Sequence, residues 1–91
     1  MSILIQIPSM LRSECAVTSD VRVSASSVRA ALEQLEQDHP ALYRCVCDET
    51  GTVRRHIHLF VNSTLVHGQE GPNTQFQPGD VLAIMTAVSG G

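Results

Sequence analysis

One stretch of this 91-residue chain repeats its apolar residues at helical spacing, and on both sides of it the apolar residues alternate instead. Val28, Ala31, Leu32 and Leu35 share one side of a helical wheel, with Leu42 a further candidate for the same stripe, while Arg29, Glu33, Glu36 and Gln37 fall elsewhere. Ser26 and Ser27 stand just ahead, where a hydroxyl can accept an orphan N–H of the first turn. The helix should stop near His39-Pro40, because the residue before proline disfavours helical geometry. Fully burying a Leu side chain is worth about 1.5–3 kcal/mol, which makes Leu32 and Leu35 the expected anchors.

The flanking segments have the two-residue period of half-buried strands. Ile3, Ile5 and Ile7 point one way and Leu4 and Gln6 the other, up to Pro8, which ends or edges the strand. Met10 to Glu14 leads into a polar connection, and Asp20 to Ser24 alternates again, so an opening hairpin is expected. Ala41 to Val53 is the least regular part, with a turn at Asp48-Glu49-Thr50-Gly51. From Arg54 to Asn62, Ile57, Leu59 and Val61 face one side and His56, His58 and Phe60 the other. A loop from His67 to Asn73, a core plug at Phe76 and a turn at Pro78-Gly79-Asp80 precede a last strand over Val81 to Met85, with Leu82 and Ile84 inward. The order strand, strand, helix, strand, strand fits an α+β mixed sheet with one helix packed across a single face. In the β-grasp version the first and last strands lie parallel and adjacent at the centre, a choice that local pattern alone does not make.

Composition narrows the function. The size is that of one domain, and 43% hydrophobic residues with 3% aromatic predict a core of Val, Ile, Leu and Ala. A net charge of −3 and the lack of Lys/Arg interleaved with aromatics argue against nucleic acid as a partner. No apolar run approaches the ~20 residues that span a bilayer, and no signal-peptide pattern opens the chain, so no membrane partner and a cytoplasmic location are expected. Cys15, Cys45 and Cys47 are odd in number and irregularly spaced, which predicts reduced thiols. All six basic residues are Arg, a pattern that biased genomic composition explains.

The last apolar strand runs through Thr86-Ala87-Val88-Ser89 into Gly90-Gly91. Without side chains, two glycines offer a bare carboxylate able to enter a narrow channel, whereas a frayed tail is the plain alternative.

Taken together, these residues resemble the MoaD/ThiS-type ubiquitin-like sulfur carriers over almost the whole chain. The resemblance rests on Ile7-Pro8 with Leu11-Arg12, His39-Pro40 closing the helix, Asp48-Glu49 with Gly51, His56-Ile57 leading to Phe60-Val61-Asn62, Pro78-Gly79-Asp80-Val81, and Ala87-Val88-Ser89-Gly90-Gly91. The early Ile-Pro and Leu-Arg elements are most similar to the CysO-type carriers of cysteine biosynthesis. Thr86 stands where the family often has proline, and Ser89 where alanine is common.

The resemblance implies a single β-grasp domain over residues 1–91 with a flexible tail over 86–91, and chemistry at the carboxylate of Gly91. A ubiquitin-activating-type adenylyltransferase would spend ATP to make the Gly91 acyl-adenylate, and a sulfur donor would displace AMP to leave a thiocarboxylate. A sulfur-accepting synthase would then take the sulfur. The chain itself would bind no cofactor and would be a carrier rather than an enzyme. A ubiquitin-like modifier conjugated through Gly91, the small subunit of molybdopterin synthase and a non-covalent interaction module stay open as alternatives.

Other residues yield less. His56, His58 and His67 with Cys45 and Cys47 lack the paired spacing of a structural zinc site, so no metal is expected. Three cysteines fall short of the four that an iron–sulfur cluster needs. No motif positions a Ser-His-Asp constellation. Phe60, by contrast, points away from the predicted core, as do Leu4, Ala83 and Met85 on other strands. Side by side they would make a docking face for the activating enzyme, continued by Thr86, Ala87, Val88 and Ser89.

Overall fold

The computed structural model describes residues 2–15, 20–66 and 73–86. In chain order the elements are β1 (Ser2–Gln6), α1 (Ser9–Glu14), β2 (Val21–Ser24), α2 (Val28–Asp38), α3 (Pro40–Val46), β3 (Ile57–Val61), β4 (Thr64–Val66) and β5 (Val81–Thr86). The five strands form one mixed sheet in the order β2-β1-β5-β3-β4. β1 runs parallel to β5, with Leu4 opposite Val81 and Gln6 opposite Ala83, and antiparallel to β2. The expected adjacency of first and last strands is therefore present, and with the helices on one face this is the ubiquitin-like β-grasp fold.

The alternating residues are buried as their period predicts. Ile3, Ile5 and Ile7 from the β1 side, Ile57, Leu59 and Val61 from β3, and Leu82 and Ile84 from β5 meet Val28, Ala31, Leu32 and Leu35 of α2. Phe76 joins this core, as expected. Among the described residues no polar or charged side chain is buried.

α2 begins where Ser27 accepts the Ala30 N–H on its hydroxyl at 3.2 Å. The Val28 N–H, another first-turn orphan, donates to Thr74 O at 3.0 Å, so the segment ahead of β5 completes the helix start. At the other end His39 donates its N–H to Leu35 O and then serves as the cap of α3.

Four features depart from the sequence expectations. Ala41 to Val46 is helical: Pro40 stops α2 and, at the first helical position, starts α3, because its fixed φ suits a helix entrance that needs no N–H. Leu42 thus belongs to α3, where it and Val46 are buried one turn apart. The connection after Pro8 holds the six-residue α1, so β1 and β2 pair without a tight hairpin. A short strand, β4, follows β3 across the Asn62-Ser63 turn, where Asn62 takes a positive φ of 58°. Residues 54–56, expected at the head of β3, precede it, because the ladder with β5 begins at the pair Ile57 and Thr86.

The thiol expectation also needs correction. Cys15 and Cys45 form a disulfide across a sequence separation of 30, with Cα atoms 6.6 Å apart. Spacing gave no hint of it, since folding alone brings the end of α1 against α3. Cys47 is the free cysteine and is buried.

Candidate functional site

β5 lies at the centre of the sheet and carries the chain to its final residues. It pairs with β1 on one side and β3 on the other, and Leu82 and Ile84 are almost fully enclosed on the helix side. Thr86, assigned from sequence to the tail, is the last residue of this strand, opposite Ile57. Strand alternation puts Thr86 on the same side as Leu82 and Ile84. There its hydroxyl donates to the sulfur of Met10 on α1, Oγ1 to Sδ 3.8 Å. Ala87, Val88, Ser89, Gly90 and Gly91 lie outside the described residues, as does His67.

The opposite side of β5 presents Ala83 and Met85. Ala83 pairs with Gln6 of β1 and with Phe60 of β3, and Phe60 in turn pairs with Leu65 of β4. Gln6, Ala83, Phe60 and Leu65 therefore form one row across four strands. Ala83 is 8% exposed and, with only a methyl group, lies at the floor between its longer neighbours; Phe60 is half-buried beside it. Met85, 51% exposed, stands opposite His58, and Leu4, half-buried, stands one row away opposite Val81. The sheet thus gathers Leu4, Phe60, Ala83 and Met85 on one face. It adds Gln6 and the 42% exposed Leu65, which sequence reasoning missed. The turn-favouring Asn62-Ser63 between Val61 and the β-prone Thr64-Leu65-Val66 was the available signal for Leu65.

A polar clasp fixes where β5 begins. Asn62 donates its N–H to Val81 O at 2.8 Å, accepts the Val81 N–H on its side-chain oxygen at 3.1 Å, and donates from Nδ2 to Asp80 at 3.0 Å. Asp80 also accepts the Gln77 N–H at 2.8 Å. The Gln77 N–H first and the Asn62 amide next hold the Asp80 carboxyl below its ordinary value. The turn passes through Gly79 at φ 88°, a conformation that suits glycine.

A second clasp holds α1. Asp20 accepts the Ile7 N–H at 2.9 Å and a bond from Arg12 Nη2 at 2.8 Å, while Arg12 Nε donates to Ile7 O at 3.1 Å. The Ile7 N–H, followed by Arg12, lowers the Asp20 pKa.

Among the remaining described titratable groups, Asp48 accepts the Thr50 N–H at 2.9 Å, the Thr50 hydroxyl at 2.6 Å and the Thr52 N–H at 3.1 Å within its own turn. Burial pushes the Cys47 thiol up to about 11 against a hydrogen bond with Tyr43, so it is not a thiolate near neutrality. His56 and His58 are exposed. Among the described residues no group of three or more His, Cys, Asp or Glu could hold a metal ion. Nor, among them, is any helix long and apolar enough to cross a membrane.

Comparison with known proteins agrees with this geometry. The model of the ThiS family matches residues 13–91. The sulfur carrier protein CysO of Mycobacterium tuberculosis is 27% identical over 93 residues, covering 100% of both chains. Among solved structures, SAMP1 from Haloferax volcanii superimposes with a TM-score of 0.80 at 28% identity over 100% of both chains. A chain of the Amycolatopsis orientalis BexX/CysO complex does so with a TM-score of 0.81 at 26% identity, covering 98% of this chain and 99% of that one. A family match over most of the sequence, on a β-grasp sheet of matching shape, establishes that this chain belongs to the ThiS family.

Proposed function

We propose that the protein is a sulfur carrier whose reactive group is the carboxylate of Gly91. The observation that carries this reading is the placement of β5: the central strand of a ThiS-family fold ends at Thr86, five residues before Gly91. A rigid central strand fixes the direction in which the last residues start, and Gly90-Gly91 would give them the slimness to enter a partner's active site.

A carboxylate is a poor electrophile, so activation must come first. The Gly91 carboxylate oxygen attacks the α-phosphate of ATP on an adenylyltransferase of the ubiquitin-activating type, pyrophosphate leaves, and an acyl-adenylate results. Sulfide, or a persulfide on a partner, then displaces AMP; where a persulfide is used, a second thiol of the partner attacks the remaining S–S bond, releasing the thiocarboxylate and leaving the partner's two sulfurs as a disulfide. That sulfur is a soft nucleophile for an acceptor held by a synthase. The likeness to CysO supports cysteine or a related sulfur metabolite as the destination. The partners supply the catalytic groups and this chain supplies position.

The row Gln6, Ala83, Phe60 and Leu65, with Met85 and Leu4 beside it, serves in this reading as the docking face for the activating enzyme. It continues directly from the strand that delivers the terminus, and an apolar face rimmed by polar residues is the usual form of a protein contact. The BexX/CysO complex of a structurally similar carrier supports a protein partner for this chain.

Intact-mass measurement after incubation with the activating enzyme, ATP and a sulfur source tests the carrier reading, which expects one oxygen replaced by sulfur at the C-terminus. The likeness to SAMP1, a small archaeal modifier protein, favours a second reading in which Gly91 is joined to lysines of other proteins. Lysine-linked adducts without the sulfur exchange would select that reading instead.

A further inference from the structure

We propose that the Cys15–Cys45 disulfide is a redox device that controls the root of the C-terminal segment through α1. The helix has only six residues and no side-chain cap at its start, so it does not hold itself together. Its position depends on ties to other elements. Leu11 is buried in the core, and Arg12 is bonded to Ile7 O and Asp20. Cys15, the residue that caps its C-terminal end, is covalently joined to Cys45 of α3. Near the other end Met10 accepts the Thr86 hydroxyl bond, and Thr86 is the last residue of β5. At 1.5 Å rise per residue, Met10 and Cys15 stand about 7–8 Å apart along a short rod. The rod has a redox-sensitive bond at one end and the base of the terminal segment at the other.

Reduction is a two-step exchange. A thiolate of a dithiol reductant attacks the half-buried Cys45 sulfur and breaks the S–S bond, and the reductant's second thiolate resolves the mixed disulfide. The products, after proton uptake, are the Cys15 and Cys45 thiols and an oxidised dithiol. α1 then keeps only its non-covalent ties, and Met10 is no longer fixed against Thr86. In reducing surroundings the Thr86 side chain is released from Met10 while its backbone stays in the ladder opposite Ile57, and in oxidising surroundings the contact is held. The consequence for activation rests on the reading of Gly91 as the reactive group.

NMR of the full chain, with labelled methionine methyls and backbone amides, tests the device directly. Reduction by a dithiol, verified by counting free thiols, is expected to shift the Met10 methyl and the Thr86 amide and to leave the Leu82 amide in place. Reoxidation should restore them. In Met10→Ala the Thr86 amide is expected to lose its redox response. Unchanged Met10 and Thr86 signals on reduction overturn the proposal, as does global loss of signal dispersion or a full Thr86 response in Met10→Ala. Adenylation rates in the two redox states form a separate readout, expected to differ several-fold. If the NMR response occurs but neither form is adenylated, the reading of Gly91 fails while the device stands.

Discussion

Phe60 of β3 stands directly opposite Ala83 of β5, so the bulkiest apolar side chain of the outer face lies beside the smallest one, on the strand that leads into the C-terminal residues. Phe60 is only partly buried, so it keeps apolar surface that a partner can cover. Phe60→Ser is expected to weaken binding to the activating enzyme by about tenfold to a hundredfold, the range of an aromatic interface anchor. A modest drop of the unfolding midpoint is also expected, because a partly buried strand aromatic is truncated. Titration calorimetry beside denaturant unfolding separates the two effects, and unchanged affinity would remove Phe60 from the interface.

Asn62 clasps β5 through side chain and backbone while holding a positive φ of 58°. Asn62→Ala loses both side-chain bonds and puts a less tolerant residue in that conformation, for an expected cost of about 1–2 kcal/mol. Asn62→Gly loses the same bonds but relieves the backbone, so its urea midpoint should lie between those of Asn62→Ala and the parent.

The disulfide closes a loop with a sequence separation of 30, and restricting the unfolded chain over such a loop is worth about 3–4 kcal/mol in the chain-entropy model. Reduction should lower the unfolding free energy by about that amount, read as a drop in the urea midpoint with a rise of slope as the unfolded chain expands. Cys45→Ser should reproduce it and become insensitive to reductant.

Three carboxyls, Asp20, Asp48 and Asp80, have folded pKa values below the ordinary 3.8. For Asp48 the causes begin with the Thr50 hydroxyl and continue with the Thr50 N–H. A depressed folded pKa means that the ionised form favours folding. The contribution is complete above the unfolded value and is lost as pH falls through the folded one. Stability should therefore fall below about pH 4, with Asp20→Asn flattening that acid limb in thermal unfolding followed from pH 6 to pH 2.

The inward residues of β1, β3 and β5 and the buried stripe of α2 were legible because each is a local period, readable one element at a time. Ser27 as a cap and the turns at Gly51 and Gly79 were legible for the same reason. α3 was hidden because Pro40 read as a stop and only Leu42 and Val46 mark its buried side. α1 and β4 are too short to establish a period. The Cys15–Cys45 pairing and the Met10–Thr86 contact join elements far apart in sequence, and no local rule carries such information. For the outer face, alternation showed that Phe60 and Ala83 point outward, but only the strand register shows that they are opposite each other and that Leu65 completes the row.

The central claim is that the terminal carboxylate is what a partner enzyme activates, and the steric bareness of Gly91 is its most exposed point. ATP–pyrophosphate exchange with the cognate activating enzyme, comparing the parent with Gly91→Ala, measures this directly. The expected result is a sharp loss of exchange in the variant with an unchanged NMR fingerprint of the sheet, whereas normal adenylation kinetics in Gly91→Ala would contradict it.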